Sequence, residues 1–296
     1  MRRNKILVCI DFQKQSIAAL QQCYDIARFI KAEIVLLYVI ESSDKFSKIF
    51  SSNVKKAKDE ARAHLEEVVK TKCKDSDIKY SFEVEIGKVP QEIIKKAHEI
   101  KARFILMGKN GSDQGIKKFI GSNTSKVISE SDYPVISVKG SHSIGYKNIV
   151  LPLDLTKSTR EKVASAISFS RFFNSHIHIV TVHSVGIIYQ ATSLYNRIKK
   201  IERTLRNNGV VCTHRFYRRD KRPDHEHVLN YSKEVNADLI MIMTHQEGRV
   251  RDYYIGAFAH HVINESDIPV LSLTPSVPEE TEKNVVESFV DPFNMF

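Results

Sequence analysis

The chain has 296 residues, 42% of them hydrophobic, and a formal net charge of +10. That length suits two domains of ordinary size, and the apolar content is enough for a packed core, which excludes wholesale disorder. No apolar run approaches the roughly 18 residues that a membrane span needs. The charge is uneven: from Pro275 onward five acids face one lysine, so residues 1–274 carry +14. Such a body attracts anionic partners without choosing between nucleotide, nucleic acid and lipid surface.

MRRNKILVCIDF begins basic and then apolar, in the manner of a leader peptide, but Asp11 cuts the run short and no small-residue cleavage site follows. KILVCID (5–11) therefore reads as a strand ending in an acid. SIAALQQCYDIARFI (16–30) is amphipathic at helical spacing, EIVLLYVIES (33–42) is a second apolar strand, and 53–72 is a long charged helix. ARFILMGK (102–109) carries a further strand, and SESDYPVISV (129–138) ends the series with a strand opened by Pro134, where a missing N–H costs least.

The pattern then restarts. NIVLPLD (148–154), REKVASAISFSRFF (160–173), HIHIVTVHS (176–184), a charged helix at 188–207, ADLIMIMTH (237–245) and NESDIPVLSL (264–273) follow in the same order. Asp154 stands to Asp11 at the start of the series nearly as Pro269 stands to Pro134 at its end. Matching elements between two such similar offsets indicate tandem copies of one domain, joined through the small-residue linker GSHSIGYK (140–147). Each copy reads β-α-β-α-β-α-β-α-β, which implies an α/β fold with a parallel sheet covered by helices on both faces. The short apolar last strand is expected at a sheet edge, where the other copy is a natural cover. Cys9, Cys23, Cys73 and Cys212 show no paired spacing, so buried free thiols in a reducing, cytoplasmic compartment are expected.

The chemistry concentrates in MGKNGSDQGIKKFIGSNTSKVI (107–128). Gly108 follows a strand directly, Gly111 comes soon after, and Gly121-Ser122 opens a helix. Ligands of doubly wound sheets lie at the carboxyl ends of strands, where the winding reverses. A helix N-terminus offers unpaired N–H groups and partial positive charge to a phosphate, and glycines let the backbone approach it. Lys117 and Lys118 stand in the same loop. The plainer alternative is a loop glycine followed by Ser122 as an ordinary N-cap. Neither a Walker loop nor GxGxxG is present. Asp11 also has two readings, as a ligand contact or as the cap of its own turn.

The spacing Gly108-x2-Gly111-x9-Gly121-Ser122 resembles the nucleotide-binding signature of the universal stress protein family, G-2x-G-9x-G-(S/T). The resemblance extends over residues 3–140 and, more loosely, 147–274, and includes the first-strand Asp11 and the closing S-x-x-P-V-x-x-V/L strand. It implies a five-stranded parallel sheet of order 3-2-1-4-5 in each copy, with Asp11 and Gly108 flanking one crevice. It also implies ATP as ligand, with magnesium plausible beside the triphosphate. Adenine would rest near Asp11, Val39 and Met107, and the phosphates near Gly108, Gly111, Gly121, Ser122 and Asn123. No dedicated metal ligands are legible.

In the second copy the corresponding loop is MTHQEGRVRDYYIGAFAHHVI (243–263). Aligned on its methionine, Thr244 and Glu247 take the places of the first two glycines, one residue is missing before Gly256, and Ala257 replaces the serine. A carboxylate among phosphate oxygens, with Tyr253 and Tyr254 crowding the loop, predicts a site silent for triphosphate. One competent site per chain is therefore expected.

Other motifs carry less. RFYRRDKRPDHEH (215–227) reads as a solvated strand end and loop, and nucleic acid is not an expected partner. His225 and His227 sit two apart at the start of a predicted helix and face different ways, which argues against zinc. His176 and His178 share a strand face, where packed or hydrogen-bonded imidazoles are the ordinary finding. The tail after Pro275 begins acidic and proline-rich, where disorder is the default, and turns apolar at Val285, Val286, Phe289, Phe293 and Phe296. Its end is a candidate to dock on the basic body or on a partner chain, and a homodimer is a separate expected assembly. The expected function is a cytoplasmic, ATP-binding, stress-responsive regulator that passes its state to a protein partner. Hydrolysis is expected to be slow at most, because no general base stands beside the loop. The alternatives are a slow ATPase or a nucleotide-independent scaffold.

Overall fold

Lys5–Cys9 forms β1, and four of its five residues are buried, as the central strand of a sheet covered on both sides requires. This is a computed structural model, and it describes residues 4–41, 51–73, 77–109, 120–140, 146–155, 159–183, 188–244 and 255–274. The chain divides into two compact units, Met1–Ile144 and Gly145–Phe296.

In the first unit β1 is followed by α1 (Lys14–Ile30), β2 (Glu33–Glu41), α2 (Ser51–Lys72), β3 (Tyr80–Gly87), α3 (Val89–Ile100), β4 (Ile105–Gly108), α4 (Ser122–Glu130) and β5 (Val135–Val138). The second unit repeats this as β6 (Asn148–Pro152), α5 (Thr159–Phe173), β7 (His176–His183), α6 (Ile188–Asn207), β8 (Cys212–Arg218), α7 (Asp224–Glu234), β9 (Leu239–Met243), α8 (Ala257–Glu265) and β10 (Val270–Leu273). All pairings within each unit are parallel. The first runs β3-β2-β1-β4-β5, and the second β8-β7-β6-β9-β10. The expected order 3-2-1-4-5 is therefore present in both copies.

The backbone repeats as closely as the strands do. Phe12 and Leu155, each directly after the first-strand acid of its copy, both turn left-handed at φ 61°. Lys31 and Asn174 are separated by the same offset, and both lie at φ 52°. Lys101 and Asn236, separated by the slightly smaller offset of the later elements, form a third left-handed pair, at φ 51° and 48°. The last two pairs terminate helices. At Lys31 the chain turns left-handed, and the Ala32 N–H reaches back to the Ala27 carbonyl at 2.9 Å; Ala237 does the same to Ser232 at 2.8 Å. These are Schellman closures, which satisfy carbonyls that the helix leaves unpaired.

The core of each unit lies where helices meet the sheet: Leu20, Cys23, Ile26 and Ala27 of α1 are fully buried, as are β-strand residues such as Leu7 and Leu36. The outer strand β3 is half-buried along its length and carries Glu83 and Glu85, which bind the buried Lys96 of α3 at 3.3 and 2.9 Å. Charge on such an edge opposes pairing with another sheet. Cys9, Cys23 and Cys212 are buried free thiols, and Cys73 is half-buried. Among the described residues no helix is long and apolar enough to cross a membrane. The acidic tail lies outside the described residues.

Candidate functional site

In the first unit the winding reverses between β1 and β4, which are hydrogen-bonded neighbours with Cys9 opposite Met107. Their carboxyl ends open one crevice, as the doubly wound topology dictates. On β1's other side Cys9 pairs with Leu37 of β2, so Val39 stands two residues beyond that pair on β2 and Asp11 two residues beyond the end of β1. Val39 and Met107 are buried at 8% and 5% exposure, whereas Asp11 is exposed.

Asp11 does cap its own turn. Its Oδ1 accepts the Gln13 N–H at 2.9 Å, and its own N–H donates to Ser16 Oγ at 3.2 Å. The Ser16 hydroxyl in turn donates to the Gln13 carbonyl at 3.0 Å. The Asp11 side chain thus fixes the left-handed Phe12 turn and still keeps carboxylate surface in solvent. The Cys9 thiol behind it is pushed up by burial, with the Asp11 charge adding to the shift, so it offers no thiolate.

Gly108 and α4 come together although a long loop separates Gly108 from Gly121. Thr124, in the first turn of α4, donates its Oγ1 hydrogen to the Gly108 carbonyl at 3.3 Å. The lack of a side chain at Gly108 has an internal cause: a β-carbon there would lie 2.5 Å from the Gln15 carbonyl carbon and from the Ser16 amide nitrogen of α1. Gly121 differs. It is the N-cap of α4 at φ −57°, ψ 144°, a conformation open to any residue, and it makes no side-chain cap bond. Ser122 is the first residue of α4 rather than its cap, and is exposed. The plain N-cap role is thus corrected by one position. Asn123 is half-buried. No acid stands in the first turn of α4 itself to meet the positive end of the helix. Gly111, Lys117 and Lys118 lie outside the described residues.

Three neighbours of this crevice escape sequence spacing. Phe12 packs on Tyr38 with ring centroids 4.8 Å apart and on His64 of α2 at 5.8 Å, forming an aromatic margin beside Asp11. The strand-end acid signals the turn, but the meeting of β2 and α2 over it is tertiary.

The second copy corrects the alignment made from its sequence. Ile105 pairs with Val135 in the first unit, and Ile240 with Val270 in the second, so both partners move by one common offset. The Lys109 N–H bonds Val138 O at 2.6 Å, and the Thr244 N–H bonds Leu273 O at 2.9 Å, with that same offset. Met243, not Thr244, therefore occupies the place of Gly108, and Gly256 follows Met243 at the distance in sequence at which Gly121 follows Gly108. No residue is missing. Glu247, Tyr253 and Tyr254 lie outside the described residues. Gly256 caps α8 at φ −56°, ψ 148°, close to Gly121, and Ala257 follows it.

The acid differs too. Asp154, the counterpart of Asp11, is paired at 3.2 Å with Lys162, a lysine only 3% exposed on α5. Arg197 of α6 donates to the carbonyl of Leu155, the left-handed residue that follows. Three cations of the basic segment are paired, Arg215 to Glu234, Arg219 to Asp224 and Arg222 to Asp220.

Two doubly wound parallel α/β units in tandem, each with a helix N-terminus near the carboxyl end of its fourth strand, define the class of fold. The Universal stress protein family matches residues 2–139 and again 145–273, and the chain belongs to that family. It is 28% identical over 157 residues to a universal stress protein of Methanocaldococcus jannaschii, covering 47% of this chain and 97% of that one. The crystal structure of a universal stress protein from Archaeoglobus fulgidus is similar with a TM-score of 0.71 at 20% identity, over 93% of this chain and 100% of that one. A functionally unknown protein from Pseudomonas aeruginosa is similar with a TM-score of 0.64 at 16% identity, over 98% and 97%. At these identities the structural likeness speaks for the fold.

Proposed function

We propose that the first unit binds an adenine nucleotide, ATP in its charged form, and that the protein is a cytoplasmic, nucleotide-responsive regulator with one competent site per chain. Adenine lies over Val39 and Met107 beside Asp11, and the phosphates meet the N–H groups of Ser122 and Asn123 together with the Ser122 hydroxyl. Gly108 and Gly111 shape the loop, and magnesium accompanies the triphosphate. The observation that carries this reading is Gly121. Its backbone does not need a glycine, it opens a helix whose N-terminus has no acid and no side-chain cap, and it keeps the G-2x-G-9x-G-S spacing.

The second unit supports the asymmetry. Met243 and Ala257 replace Gly108 and Ser122, and Asp154 is already engaged by a lysine. The buried thiol beside the first crevice is pushed up and supplies no nucleophile, in keeping with slow hydrolysis at most.

Calorimetry of the nucleotide-stripped protein with ATP tests the proposal. One site per chain is expected. Gly121→Val, whose backbone is compatible, should weaken binding about a hundredfold or more while leaving thermal unfolding nearly unchanged. Two equivalent sites would overturn the asymmetry. Retained affinity in the variant would remove the cradle, and absence of any adenine-nucleotide binding would leave a nucleotide-independent scaffold.

A further inference from the structure

His225 is the second residue of α7, and His261 and Glu265 lie one turn apart on α8. The spacing of His225 and His227 within α7 argues against zinc, and those two do diverge: His227 turns to Asp220 at 3.2 Å. His225 turns instead toward α8. Its ring stacks on His261 with centroids 4.4 Å apart and planes 7° from parallel. His225 Nε2 lies 3.4 Å from Glu265 Oε1, and His261 Nδ1 lies 2.9 Å from the same oxygen. One nitrogen of each imidazole and the carboxylate oxygen all fall within 4.8 Å of one another.

A histidine and a glutamate at i, i+4 on an exposed helix face are an ordinary surface pair. The third member is not explained that way. His225 is 8% exposed, comes from another helix, and aims at the oxygen that His261 already engages. The shared fold does not demand these donors either. At the equivalent places, set by the strand register that relates the two copies, the first unit has Pro90, Lys126 and Glu130, which cannot form a nitrogen-rich ligand set.

We propose that His225, His261 and Glu265 form a zinc-binding site that pins α7 to α8 in the second unit. Two imidazole nitrogens and one carboxylate oxygen suit Zn²⁺, whereas Ca²⁺ and Mg²⁺ prefer all-oxygen sets. Three protein ligands leave the fourth tetrahedral position to water. Because the rings are nearly parallel, their lone pairs do not meet at one point. Binding therefore rotates the half-exposed His261 ring about its side-chain bonds, while the buried His225 stays in place. Protons compete for the same lone pairs, so affinity falls in acid.

The test uses the full, untagged chain stripped with chelator and titrated with Zn²⁺ by calorimetry, and with Co²⁺ by visible absorption. One ion per chain with micromolar or tighter affinity is expected, with the intense tetrahedral Co²⁺ bands and a raised thermal midpoint. His261→Ala, at an exposed position that the fold tolerates, should weaken binding at least about tenfold, and Glu265→Gln likewise. His225→Gln should do the same with an unchanged circular dichroism spectrum. His260→Ala, whose imidazole lies within 3.2 Å of the Asn264 amide, should have no effect. Failure to bind Zn²⁺, equal affinity in His261→Ala, or the weak bands of octahedral Co²⁺ would each overturn the site.

Discussion

Gly108→Ala separates structural glycines from ligand-facing ones. The added methyl would lie 2.5 Å from the Gln15 carbonyl carbon and the Ser16 nitrogen, and 2.8 Å from the Gln15 oxygen. These are backbone atoms of the first turn of α1, and that turn has little freedom to retreat. Gln15 Oε1 accepts the Gly140 N–H at 2.6 Å, and Ser16 is held by both Asp11 and Gln13. Overpacking of this kind costs about 2–3 kcal/mol. The lower entropy of an unfolded alanine returns about 0.4–1 kcal/mol, so a net loss near 2 kcal/mol is expected. For a unit of this size that lowers the thermal midpoint by roughly 4–8 °C. Gly121→Ala, where the backbone suits any residue, should lose no more than about 1 kcal/mol through the weaker cap. Urea unfolding of both variants, with and without ATP, is the assay. If Gly108→Ala unfolds within about 0.5 kcal/mol of the parent protein, β4 does not press on α1 as described and the separation of roles fails.

Two further outcomes follow from the second unit. Asp154→Ala strands Lys162 in the interior and should destabilise by about 2–3 kcal/mol, while Asp154→Ala with Lys162→Met should recover most of that loss; equal stability of the single variant and the parent protein would show that the pair is not the counter-charge. Burial, followed by the neighbouring His176, holds His178 down to about 4. The folded unit therefore keeps this ring neutral where the unfolded chain, near 6.5, binds a proton. Its contribution is complete above about pH 6.5 and is lost as pH falls toward 4, by roughly 3 kcal/mol in all. His178→Gln should flatten the decline of urea stability between pH 7 and 5, and an unchanged slope would reject this role for His178.

The fold is legible because two kinds of pattern repeat: apolar runs of strand length alternating with amphipathic helices, and a closing Ser-Asp-x-Pro-Val turn and strand. Neither kind needs tertiary knowledge. The features that the sequence misplaces or hides do need it. Matching Met107 to Met243 puts the second loop one residue out, because a shared side chain is weaker evidence of equivalence than a shared ladder of backbone bonds. The pairs Ile105–Val135 and Ile240–Val270 settle the register: no residue is deleted, and at constant loop length Met243, Gln246 and Ala257 stand at the positions of Gly108, Gly111 and Ser122. Lys162 reaches Asp154 from a helix back to the strand before it, and His225 and His261 come from different helices, so no local spacing rule joins either pair.

These two pairs point the same way. A duplicated sheet leaves two equivalent crevices, and each copy must stabilise the turn after its first strand. In the first unit Asp11 does so with backbone N–H groups and keeps its carboxylate in solvent. In the second, Lys162 engages the acid and Arg197 the adjoining carbonyl, so the turn is held by side chains at the groups a ligand would otherwise meet. The His225–His261–Glu265 cluster lies on the helices of that same second copy, where the first unit has Pro90, Lys126 and Glu130. The copies thus diverge at the same turn: in the first the strand-end acid stays in solvent, in the second Lys162 engages it, and a cluster of two imidazoles and one carboxylate stands on the second unit's helices.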